Sequence, residues 1–126
     1  MGVNKYVIAG LVIIIVIGGV AVFSSTLPGS YDEFAQCLTD KGAKMYGAYW
    51  CTHCASQKKE FGNSLKYVDY VECDPSGADA NPQLCQQKGI KGYPTWEING
   101  QFYEGEQNFQ TLSALSGCPL TGASSS

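Results

Sequence analysis

From Val7 to Phe23 every position is apolar or glycine, a run of 17 residues with no polar stripe around the helix it would form. At about 1.5 Å rise per residue it covers roughly 26 Å, close to the hydrocarbon thickness of a bilayer. A helix buried in a soluble core keeps one polar face, so the run predicts a transmembrane anchor over residues 1–23. Val22-Phe23-Ser24 is a weak small-residue cleavage site. The apolar core of a signal peptide runs only about 7–15 residues, and the length therefore favours an anchor that is not cleaved.

Beyond Phe23 the pattern changes. Residues 24–29 are Ser, Thr, Leu, Pro and Gly and read as a tether. Ser30-Tyr31-Asp32-Glu33 has the spacing of a capping box, and Tyr31, Phe34 and Leu38 follow at helical intervals until Gly42. Ala43 to Tyr49, rich in aromatics, predicts a short buried strand that runs into Trp50-Cys51-Thr52-His53-Cys54. A second helix starts at these cysteines and reaches about Gly62. Tyr67 to Glu72 predicts another strand, with Val68 and Tyr70 on one face and Tyr67, Asp69 and Val71 on the other. After the polar loop Asp74 to Ala80, Asn81-Pro82 caps a short helix that ends at Gly89. Thr95 to Ile98 and Gln101 to Glu104 flank Asn99-Gly100, a strong two-residue hairpin signal. Asn108 then caps a last helix over Phe109 to Ser116, stopped by Gly117. The order is α-β-α-β-α-β-β-α. It defines one domain over residues 30–120, followed by a disordered tail of small residues over 121–126.

Charge adds an orientation. Lys5 is the only cation near the apolar run, and Asp32 and Glu33 are the first charges beyond it. By the positive-inside rule the N-terminus is cytoplasmic and residues 24–126 lie outside, at the cell membrane. Of 126 residues, eight are lysine, none is arginine and eleven are acidic. Setting Lys5 apart leaves seven lysines against eleven acids, a formal charge of −4 on the outer part, which argues against binding nucleic acid or anionic lipid.

Six cysteines in so short a chain suggest an oxidising compartment or a metal site. Cys51 and Cys54 are separated by two residues where a strand turns into a helix, a spacing that closes a small disulfide ring. The first thiol then stands among the unpaired N–H groups at the positive end of the helix, which favours its thiolate. His53, between them, would favour that thiolate further and make the disulfide more oxidising. A zinc knuckle needs a second close pair, and Cys73 and Cys85 have eleven residues between them, so no metal is expected. Ala55 after Cys54 excludes a c-type haem. Cys73 and Cys85 are read as a structural disulfide that ties the 74–81 loop to the short helix, with a redox shuttle pair as the rival. Cys37 and Cys118 either pair with each other or stand as a buried and an exposed thiol. Trp50 and Tyr49 either rim the site or are core aromatics.

Ala48-Tyr49-Trp50-Cys51-Thr52-His53-Cys54 resembles the active site of the thioredoxin superfamily. Gly92-Tyr93-Pro94-Thr95 sits where that superfamily keeps its cis-proline loop. The resemblance is closer to the thioredoxin-like domain of bacterial and archaeal vitamin K epoxide reductase homologues. It rests on Met45-Tyr46-Gly47-Ala48-Tyr49-Trp50-Cys51, on Tyr70-Val71-Glu72-Cys73 and on Gly92 to Gly100, and it spans about residues 31–120.

The resemblance implies a thioredoxin-like α/β fold, a mixed four-stranded sheet flanked by helices. It implies a disulfide carrier of the DsbA kind that oxidises exported proteins. Cys51 and Cys54 would be its redox pair and need no bound cofactor, and a separate quinone-reducing membrane protein of the vitamin K epoxide reductase type would reoxidise them. A cis Pro94 would set the Tyr93 backbone beside the cysteines, where an extended substrate strand could pair with it, near Trp50. Two departures stand out. Met45 occupies the place where thioredoxins proper carry a buried acid that accepts the proton of the second thiol, and Thr52 stands where DsbA-type oxidases often have proline. The competing classes are a thiol reductase or isomerase, an electron donor to that membrane partner, and a metal-binding or adaptor domain.

Overall fold

The Asn99-Gly100 turn fixes the most regular part of the molecule. Both residues have positive φ, 51° and 77°, the backbone of the tight turn whose twist matches paired strands. It joins strands that, in chain order, are β3 (Thr95–Ile98) and β4 (Gln101–Glu104). The computed structural model describes residues 28–120; the expected anchor over 1–23, most of the tether and the tail over 121–126 lie outside the described residues. Among the described residues no helix is long and apolar enough to cross a membrane.

The earlier elements are α1 (Asp32–Asp40), β1 (Lys44–Gly47), α2 (Thr52–Phe61), a 3-10 segment (Gly62–Tyr67), β2 (Tyr70–Glu72) and α3 (Pro82–Gln87); α4 (Phe109–Ser116) closes the domain. The sheet runs β2-β1-β3-β4. β1 lies parallel to β2, with Met45 opposite Tyr70, and antiparallel to β3, with Met45 opposite Trp96. β3 and β4 form the hairpin. This mixed four-stranded sheet with its helices is the thioredoxin-like α/β arrangement that the resemblance implies.

Alternation along the central strands divides the core. Met45, Trp96 and Ile98 share one side and pack with Phe34, Phe61, Phe109 and Leu112 of α1, α2 and α4. The Phe61 and Phe109 rings are 4.7 Å apart and tilted by 50°. Tyr46 and Val71 face the other way, into a smaller cluster with Cys73 and Cys85. Gln57 is buried within the larger side and fully satisfied. Its Oε1 accepts from Trp96 Nε1 and Gln107 N, and its Nε2 donates to the Gln107 carbonyl.

Two local expectations are corrected. The capping box does not form: Tyr31, not Ser30, is the cap residue and supplies no side-chain bond. Instead Ser64 Oγ accepts from Tyr31 N and donates to Asp32, whose carboxylate also takes the Gly29 N–H. The strand expected over Tyr67 to Glu72 is shorter, because the chain after α2 continues through Gly62 (φ 55°) as a 3-10 segment that absorbs Tyr67. Of the two readings of Cys37 and Cys118 the paired one holds: Cys118 is buried and bonded to Cys37, with S–S 2.12 Å. Cys73 is bonded to Cys85, with S–S 2.06 Å.

Candidate active site

β1 ends at Gly47, and the chain turns through Tyr49 and Trp50 before α2 begins. The turn is closed by Cys51 N–H donating to the Ala48 carbonyl at 3.0 Å. Cys51 is the N-cap of α2 with an extended backbone, and its Sγ accepts the Cys54 N–H at 3.1 Å. The sulfur thus takes the place of the Ser or Asp oxygen that ordinarily caps a helix. One helical turn separates the two thiols and orders them by access: Cys51 is 8% exposed and Cys54 1%. Burial, and then its hydrogen bond to Cys51, push the Cys54 thiol up to about 12. An incoming reagent therefore meets Cys51 first, with Cys54 behind it.

The Tyr93–Pro94 peptide is cis, and Pro94 is buried. Its carbonyl accepts Gly105 N–H at 2.7 Å, and Thr95 Oγ1 donates to the Gly92 carbonyl, so the loop is held at both ends. Trp50 lies edge-on to Tyr93 with ring centroids 6.0 Å apart. Trp50, Cys51, Thr52, His53 and Tyr93 line one concavity of about 380 Å³. Tyr49 and Trp50 are more than half exposed, so both are surface aromatics rather than core ones. The residues expected to bind and react are thereby gathered at one end of the sheet. The Cys73–Cys85 bridge sits in the smaller cluster, and the Cys37–Cys118 bridge ties α1 to the end of α4. Among the described residues no group of three His, Cys, Asp or Glu side chains is placed to hold a metal ion.

No family model matches the chain. Over 93 residues it is 41% identical to the thiol-disulfide oxidoreductase LTO1 of Arabidopsis thaliana, covering 71% of this chain and 25% of that protein. Over 53 residues it is 40% identical to thioredoxin 3 of Plasmodium falciparum, covering 42% of this chain and 29% of that one. The chain is a homologue of thioredoxin-like thiol-disulfide oxidoreductases. It spans about a quarter of the length of these curated relatives. The crystal structure of a Plasmodium falciparum thioredoxin matches 62% of this chain and 70% of its own, at 29% identity and a TM-score of 0.40.

The partners of two expected site residues, His53 and Trp50, carried no signal of their own. His53 Nδ1 pairs with Glu106 Oε2 at 2.8 Å, on the outer surface of α2. Hydrogen bonds from Ser56 and then His53 hold the Glu106 carboxyl below the usual carboxylate range. Trp50 Nε1 donates to Asp74 Oδ2 at 2.7 Å, which fixes the indole over the concavity. The Ser76 backbone N–H, and then this indole, lower the Asp74 carboxyl. Partners 53 and 24 residues away leave no local pattern. Behind Cys54 stand Tyr70 and Glu72, whose spacing of two in a strand puts them on one face. Both also lie in the Tyr70-Val71-Glu72-Cys73 motif that carries part of the resemblance.

Proposed function

We propose that the chain is a membrane-anchored, extracytoplasmic carrier that passes a Cys51–Cys54 disulfide to exported proteins. A quinone-reducing membrane partner of the vitamin K epoxide reductase type then reoxidises it. The observation that carries the reading is the ordering of the two thiols at the head of α2. Cys51 opens into a concavity rimmed by Trp50 and Tyr93, while Cys54 is sealed behind it. The two further disulfides suit an oxidising compartment, and the apolar run over Val7 to Phe23 suits an anchor.

In the oxidised carrier a substrate thiolate attacks Cys51 Sγ. The Cys51–Cys54 bond breaks and its electron pair goes to Cys54 Sγ, which takes up a proton. A second substrate thiolate attacks the substrate sulfur of the mixed disulfide and releases Cys51. The substrate has lost two electrons and the carrier has gained them. An extended substrate segment lies along the Trp50 and Tyr93 rim, against the backbone that precedes Pro94. His53, held by Glu106, sits at the edge of this path.

The test is alkylation trapping in cells together with the Cys54→Ala variant. The expected outcome is a pair found mostly oxidised, and mixed disulfides between Cys51 and exported proteins in the variant. A mostly reduced pair turns the reading into a reductase, an isomerase or an electron donor to the membrane partner. Metal retained by the purified chain and lost in Cys51→Ser, with no thiol exchange, turns it into a metal-binding adaptor.

A further inference from the structure

Opening and closing a Cys51–Cys54 disulfide moves a proton at Cys54, and that sulfur is shut away from water. Met45, a member of the same core cluster, offers no acceptor. A polar path nonetheless reaches the site from β2. Gly47 has no side chain, and the point where its Cβ would stand lies 2.8 Å from Cys54 Sγ and 3.3 Å from the Tyr70 hydroxyl oxygen. The sulfur and the hydroxyl therefore border the same space, which any other residue at 47 would fill. The Tyr70 hydroxyl donates to Glu72 Oε1 at 3.1 Å.

Glu72 is 5% exposed, and a carboxylate so buried needs partners. Its Oε2 accepts the N–H groups of Tyr49 and Asp74, at 3.2 and 3.0 Å. A second glycine makes room for it: a Cβ on Gly77 would stand 2.4 Å from Glu72 Cγ and 2.8 Å from Oε1. The other charged or titratable groups facing this path are Cys51 and, from α2, Lys58, whose Nζ lies 3.6 Å from the centre of the Tyr70 ring. The thiol exchange described above assigns no task to Tyr70, Glu72 or these two glycines.

We infer that Glu72, acting through the Tyr70 hydroxyl, is the proton acceptor for Cys54. The inference rests on the thiol exchange proposed above. When Cys54 Sγ attacks Cys51 of a mixed disulfide, its S–H proton passes to the Tyr70 oxygen as the Tyr70 proton passes to Glu72 Oε1. The new Cys51–Cys54 bond forms, the bond from Cys51 to the outgoing sulfur breaks, and that sulfur leaves with the electron pair. Disulfide opening runs the same transfers backwards and delivers a proton to Cys54. Tyr70 and Glu72 are positioning residues in the sense that they set where the proton goes while the sulfurs do the bond exchange.

The experiment uses the reduced full chain in detergent and dithiobis(nitrobenzoate), whose coloured thiol is released twice. The first release reports attack by Cys51, and the second reports closure by Cys54. In Tyr70→Phe and Glu72→Gln the second release should slow about a hundredfold at pH 7, the size of a lost general base. That deficit should shrink as pH rises and hydroxide takes the proton, while the first release keeps its rate. Tyr70→Phe retains the ring and its contact with Lys58, so it reads the hydroxyl rather than the packing. A second release at the unsubstituted rate in Tyr70→Phe, or one slowed equally at every pH, overturns the inference. Slowing in Tyr70→Phe alone overturns the part assigned to Glu72. If the unsubstituted chain shows neither release, the thiol-exchange reading itself fails.

Discussion

The two structural disulfides should differ in what they contribute, and the loops they close set the difference. Cys37–Cys118 joins residues 81 apart in sequence, whereas Cys73–Cys85 joins residues 12 apart. In the chain-entropy account a cross-link stabilises by restricting the unfolded chain, as the logarithm of the loop it closes. This gives about 4.5 kcal/mol for the long loop and about 3 kcal/mol for the short one. Both are large against the roughly 5–15 kcal/mol that separates folded from unfolded domains. Replacing each pair by serines isolates the comparison, because Cys118, Cys73 and Cys85 are all buried and a serine in their place suffers a similar loss of packing. Urea unfolding with the Cys51–Cys54 pair kept oxidised should show Cys37→Ser/Cys118→Ser losing about 1.5 kcal/mol more than Cys73→Ser/Cys85→Ser. Its m-value should also rise more, since freeing the longer loop lets the unfolded chain expose more surface. If the short-loop variant loses as much as the long-loop one, loop entropy does not govern these bridges.

Gln57→Leu strands the Trp96 indole N–H, the Gln107 N–H and the Gln107 carbonyl, and should cost at least about 2 kcal/mol in a denaturant titration. A near-neutral result would mean that water or rotated side chains replace the amide. Gly47→Ala places a methyl 2.8 Å from Cys54 Sγ and should destabilise the reduced protein by about 1–3 kcal/mol through overpacking, read as a lower urea midpoint. An unchanged midpoint would show that the sulfur is free to move aside. The raised Cys54 thiol also makes stability depend on pH in the reduced protein. Between the ordinary thiol pKa near 8.5 and about 12 the unfolded chain has lost a proton that the native state keeps, so stability falls as pH rises. Cys54 does not titrate in the oxidised protein. The reduced form should therefore lose ground to it from pH 8 to pH 10.5, and a constant gap across that range contradicts the burial of Cys54.

What could be read in advance was local. Asn99-Gly100, Asn81-Pro82, and Asn108 with Gly117 each mark a turn or a helix end within a few residues, and each stands where expected. Asn81 and Asn108 side chains cap α3 and α4 by accepting the N–H three residues on. Cys51 and Cys54 were legible for the same reason. What could not be read depends on residues brought together from far along the chain. The start of α1 has the letters of a capping box, yet Ser64, 33 residues from Tyr31, supplies the hydroxyl and leaves Ser30 unused as a cap. Cys37 and Cys118 share no local pattern, so only the packing of α1 against α4 decides that they meet. His53 was expected to act on the cysteines, and its partner Glu106 comes from the loop after β4. The acid missing at position 45 led to no replacement in the sequence, because Glu72 belongs to the neighbouring strand.

A sulfur that caps a helix changes its bonding whenever the pair is oxidised or reduced. As a thiol or thiolate, Cys51 Sγ accepts the Cys54 N–H; bonded to a second sulfur it holds its electrons more tightly and becomes a poorer acceptor. The redox state of the pair is thus written into a backbone amide. The nitrogen and proton resonances of Cys54 should move between the oxidised, mixed and reduced forms, giving a spectroscopic signal of the pair's redox state that needs no attached dye. The first turn of α2 should also exchange its amide hydrogens at rates that follow that state, so the helix end carries a record of the chemistry as well as a support for it.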